Sequence, residues 1–133
     1  MASGLLRQDL RYAAFWLAGA LTLFVVMLAT SLNTAMMDAV DEITDDWVVH
    51  ILGFMVITVS FCGPLQPRYR NWVFVAFAVF GVLIELVQVS IPGRNASLLD
   101  LLANIAGLIL GWYFLRSKYG DWCLWLETRL GIR

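Results

Sequence analysis

Apolar positions run almost without interruption through four stretches of the chain, separated by short polar breaks. From Tyr12 to Ser31, twenty residues carry no formal charge, enough to cross a hydrocarbon core of ~30 Å at ~1.5 Å per residue. The first helix is predicted from about Arg11 to Ser31, with Tyr12 and Trp16 near its start as interfacial aromatics. An acidic loop follows, carrying Asp38, Asp41, Glu42, Asp45 and Asp46. The second helix is expected over 47–62, ending where Gly63-Pro64 and Pro67 break the pattern. A turn with Arg68 and Arg70 leads to a third helix over 72–89, stopped by Pro92-Gly93, and a fourth covers 97–115. The segment 119–130 is too short to span a bilayer. It reads as an amphipathic interfacial helix, with Trp122, Trp125 and Leu126 on one side and Asp121, Glu127 and Arg129 elsewhere.

The expected fold is therefore an all-α membrane protein, a four-transmembrane-helix bundle with a short amphipathic C-terminal helix, in one domain of residues 1–133. Composition agrees: 61% of residues are apolar and 14% charged, against about 45–50% and about 25% in soluble domains. The apolar run after Arg7 and Arg11 exceeds the ~7–15 residues of a signal-peptide core, so a retained first helix is expected. A net charge of −1 gives no general attraction to nucleic acid. With the N-terminus in the cytoplasm, eight of the nine Lys/Arg residues fall inside and only Arg94 outside. Both termini are thus expected to be cytoplasmic, and Cys62 and Cys123 to lie on the reducing side as unpaired thiols.

Charged groups inside a membrane cost about 2.5–3.5 kcal/mol each on insertion scales and need partners or a task. The candidates are His50, Glu85 and Asp100, with the amides Gln88 and Asn104. In the orientation above, three helices carry these groups at one depth, in the outer half of the bilayer. Glu85 and Gln88 share a helix face at i,i+3, and Asp46 can reach His50 at i,i+4. Asp100, Asn104, Gly107 and Gly111 form one stripe, whose GxxxG lets another helix approach closely. Plainer roles exist for each. Ser97 to Asp100 matches a capping pattern, the amides could be interhelical glue, and His50 could be solvated or bonded structurally. Asn95-Ala96-Ser97 matches a glycosylation sequon but lies close to the membrane.

The string Glu85-x-x-Gln88, then Pro92-x-Arg94, then Asp100-x-x-x-Asn104-x-x-Gly107 resembles the pattern of the VanZ-like family. Asp46 and His50 match that family's acidic residue four positions before a histidine. The resemblance covers about residues 45 to 112. Trp47 stands where the family usually has Lys, and Phe54 where an aromatic, commonly Tyr, is expected. The resemblance implies a multi-pass protein of the bacterial inner membrane, and its founding member is associated with low-level resistance to teicoplanin. It implies the membrane of the cell envelope more firmly than a reaction.

The expected function is binding or handling of a lipid, or of a lipid-linked anionic headgroup, at the outer half of the membrane. Arg94 would grip a phosphate through its planar fork, while His50, Glu85 and Asp100 supply acceptors or a proton. A Glu, an Asp and a His in a dry pocket could also run acid–base chemistry on a lipid-linked substrate. No GxSxG, HExxH or P-loop pattern accompanies them, so binding is favoured over catalysis, and neither metal nor cofactor is expected. The competing class is a structural or assembly subunit, as a homo- or hetero-oligomer, whose polar cluster only locks the bundle. Ion coupling is a third, opposed by the lack of ionisable groups in the inner half.

Overall fold

A computed structural model describes residues 4–93 and 97–132. All the regular elements among them are helical: α1 (Ala13–Ser31), α2 (Thr34–Asp41), α3 (Asp46–Cys62), a 3-10 turn (Pro67–Tyr69), α4 (Arg70–Gln88), α5 (Leu98–Arg116) and α6 (Trp122–Arg129). The four long helices lie within two residues of their expected bounds. Three spans are long and apolar enough to cross a membrane: Ala13–Ser31, Pro67–Val89 and Leu98–Arg116. α3 alone is shorter. It joins α2 in a pair bent by 109°, which makes a fourth crossing if the two act as one span.

The distribution of exposed side chains agrees with that composition. α1 buries only Ala13 and Ala20, while Phe15 is 68% and Val25 61% exposed. Such large apolar faces are costly in water and at home in hydrocarbon.

α3 is the hub, packing on α1, α4 and most extensively on α5. The α3–α5 contact depends on glycine. A Cβ on Gly107 would lie 2.4 Å from the Ile51 carbonyl oxygen, and one on Gly111 would lie 2.9 Å from Thr58 Cβ. The GxxxG stripe therefore faces α3, as a close-packing stripe should. Phe54, Ile57, Phe77, Ile84 and Leu108 form the core. Edge-on aromatic pairs fill it, among them Phe24–Phe80 at 5.0 Å and Phe61–Phe77 at 5.1 Å between ring centres.

Two regions differ from the expectation. The acidic stretch is not simply a loop, because it begins with α2. The Asn33 side chain accepts a hydrogen bond from the Met36 backbone N–H, and Met37 is buried. An N-cap and one apolar anchor suffice for two turns of helix.

The second concerns the tail, where α6 also packs against the start of α1 and the end of α3. Trp122 donates to the Val59 carbonyl at 3.2 Å. Cys123 packs with Leu10 and Ala13. Glu127 is wholly buried and accepts from the backbone N–H groups of Arg11 (2.8 Å) and Tyr12 (2.9 Å) and from the Trp16 indole (2.9 Å). A carboxylate at the start of α1 satisfies orphan donors and opposes the positive end of the helix dipole. Residues before α1 join the same knot: Leu6 bridges Leu65 as a short antiparallel pair, and Arg7 binds both Asp9 and Asp121.

Candidate functional site

Three helix ends meet at the opposite end of α1 from this knot. His50 lies in the second turn of α3, Glu85 in the last turn of α4, and Asp100 in the first turn of α5. Ser97 caps α5, its hydroxyl accepting from the backbone N–H groups of Leu99 and Asp100. The capping role thus falls to Ser97, and the Asp100 side chain is buried within the bundle.

His50 is the centre of the cluster. Its Nδ1 lies 2.7 Å from Asn104 Oδ1 and 3.7 Å from Glu85 Oε1, and its Nε2 lies 3.5 Å from Asp46 Oδ1. Asn104 Nδ2 donates to Glu85 Oε1 at 3.3 Å. That last bond orients the amide, since its NH2 must face the carboxylate and its oxygen must then face His50. Nδ1 therefore carries the proton of this bond, and Nε2 is the nitrogen turned towards Asp46. Ligating atoms of Asp46, His50 and Asp100 all lie within 4.8 Å of one another. Glu85 Oε2 is buried and has no hydrogen-bond partner among the described residues.

The structure thus gathers Asp46, His50, Glu85, Asp100 and Asn104. Gln88 is buried but directed elsewhere, donating to the Ser31 carbonyl at 3.4 Å and tying α4 to α1. Its spacing from Glu85 placed both on one broad face, which is wide enough to meet two neighbours. Arg94 and the sequon residues Asn95 and Ala96 lie outside the described residues.

Beside the polar cluster is an apolar cavity of about 170 Å³. Met27 and Ser31 of α1, Met37 of α2, Gly53 and Phe54 of α3, and Ile84 of α4 line it, and His50 forms part of its wall. None of the apolar residues was legible as site-forming. Only Gly53 carried a signal, as a small residue one turn from His50 in an otherwise bulky helix.

At the other end of the bundle, Cys62 and Cys123 are both buried free thiols. Burial pushes the Cys123 thiol up to about 12. The Asp9 and Asp121 carboxylates outweigh burial and hold the Arg7 guanidinium above its usual value, firmly charged.

Compared with protein-family models, curated proteins and solved structures, the chain matches none. The VanZ-like resemblance rests on the spacing of its motif residues.

Proposed function

We propose that this is a multi-pass membrane protein that holds a lipid or lipid-linked headgroup where α3, α4 and α5 meet, with an acyl or isoprenoid chain in the adjoining cavity. One observation carries the reading: His50 is at once a wall of the apolar cavity and the hub of the polar cluster. An amphiphile needs both environments side by side. Asp46, Glu85 and Asp100 would accept from hydroxyl or ammonium groups of the headgroup, and Arg94 would meet its phosphate. The distribution of Lys and Arg supports cytoplasmic termini and a cluster in the outer half of the membrane. The VanZ-like resemblance supports a bacterial envelope lipid as cargo, with a link to teicoplanin response as one consequence.

Binding is favoured over catalysis because no GxSxG, HExxH or P-loop pattern accompanies the cluster. The buried Asn104, joining α3 to α4 through His50 and Glu85, is what an assembly subunit would also use to lock its bundle.

Lipid identification separates these readings. Protein purified in mild detergent should carry a lipid species enriched over the bulk membrane extract, measured by mass spectrometry. Gly53→Leu should fill the cavity and remove it, since a Cβ there meets only the flexible end of Met27. Equal lipid content in both folded proteins, matching the bulk extract, would leave the assembly role.

A further inference from the structure

We infer that Asp46, His50 and Asp100 form a binding site for a divalent transition-metal ion, Zn2+ or Mn2+, at the α3–α5 end of the bundle. The geometry carries this independently of any lipid. His50 Nε2 and Asp46 Oδ1 are 3.5 Å apart, beyond the ~2.7–3.2 Å of a hydrogen bond. Two ligands of a tetrahedral ion with bonds of ~2.0–2.1 Å stand about 3.3–3.4 Å apart. The separation is that of two ligands on one ion. The Asp100 carboxylate completes three ligand atoms within 4.8 Å of one another, a span that small side-chain rotations close onto one cation.

The surroundings of His50 point the same way. Metal-bound histidines present one nitrogen to the ion and donate the other N–H to an oxygen that fixes ring and tautomer. Here Nδ1–H donates to Asn104 Oδ1, and Asn104 is itself held by Glu85. This turns Nε2 towards the Asp46 carboxylate, the placement in which both can ligate one ion. Glu85 supplies a second, separate indication. Its side chain is 8% exposed, lies 3.7 Å from His50, and keeps Oε2 without a hydrogen-bond partner among the described residues. A water on the ion, or the ion itself, would satisfy that oxygen. One imidazole with carboxylates suits Zn2+ or Mn2+, whereas the thiols are at the far end. Asp46, the most exposed of the three, marks the side from which an ion enters.

The test uses full-length protein in detergent, stripped with chelator and titrated with Zn2+ and with Mn2+ by calorimetry. Elemental analysis gives stoichiometry, and X-ray absorption gives the ligand atoms. One equivalent should bind reversibly through nitrogen and oxygen only. Asp46→Asn and Asp100→Asn should abolish it, while Glu42→Gln, on the exposed acidic stretch, should bind as wild type. Glu85→Gln should weaken binding by about 10–100-fold, as loss of an outer-shell partner does. Should Asp100→Asn fail to fold, the more exposed Asp46→Asn decides. Absence of one-equivalent uptake in folded wild type, sulfur in the ligand shell, or unchanged binding in Asp46→Asn would overturn the inference.

Discussion

Replacing Glu127 with alanine removes the acceptor of three donors at once: the Arg11 and Tyr12 backbone N–H groups and the Trp16 indole. Hydrogen bonds to a charged group contribute about 1.5–3 kcal/mol each when no substitute partner is available. Arg11 and Tyr12 are exposed and their amides can turn to water. Their loss should resemble that of an ordinary N-cap, about 1 kcal/mol apiece. The half-buried indole takes the fuller value, so Glu127→Ala should cost about 3.5–5 kcal/mol in the docking of α6. Glu127→Gln keeps one acceptor oxygen and should cost less. Cys123 reports this locally, being fully buried in the same knot. Its alkylation rate under native conditions follows the population of the opened state. A change of that size raises that population by about 300-fold to a few thousand-fold at about 1.4 kcal/mol per decade. Thr128→Ala, at an exposed position on the same helix, is the control. A rise below ten-fold in Glu127→Ala, or one no larger than in the control, would refute the account of Glu127 as the latch.

Further outcomes follow from the same structure. Gly107→Leu should sharply lower the yield of folded protein, because even a Cβ would meet the Ile51 carbonyl at 2.4 Å; thermal unfolding in detergent equal to wild type would contradict the packing. The raised Cys123 thiol holds its proton more tightly folded than unfolded. Its stabilising contribution is therefore complete below the ordinary thiol value and is lost as pH rises from about 9 towards about 12. Unfolding measured from pH 8 upward should show wild type losing stability relative to Cys123→Ala, and a constant difference would speak against it. In intact cells, single cysteines at 38–46 should react with an impermeant maleimide and one at Arg68 should not. Labelling at Arg68→Cys would reverse the orientation.

Much of the architecture followed from local sequence. Uninterrupted apolar runs can only be long helices where backbone groups must bond within their own segment, and the Gly-Pro breaks bounded them. The polar cluster was legible too. Polar groups that are costly in hydrocarbon gather, and His50, Glu85 and Asp100 each lay about the same number of turns from a helix end. The stripe through Asn104, Gly107 and Gly111 showed which face of α5 turned inward. What the tertiary structure decided were matters of partner. Glu127 reads as a surface charge on a short amphipathic segment, and only the approach of α1, more than a hundred residues away, turns it into a cap. Gln88 and Glu85 share a face by periodicity, yet one meets α1 and the other α3, because a helix face is wider than one neighbour. The cavity is likewise invisible along the chain. Its walls come from four helices, and the 109° bend that brings Met37 over it arises where α2 and α3 meet. Hydrophobic periodicity reports which residues leave water, while the identity of the surface they leave it for is a property of three-dimensional packing.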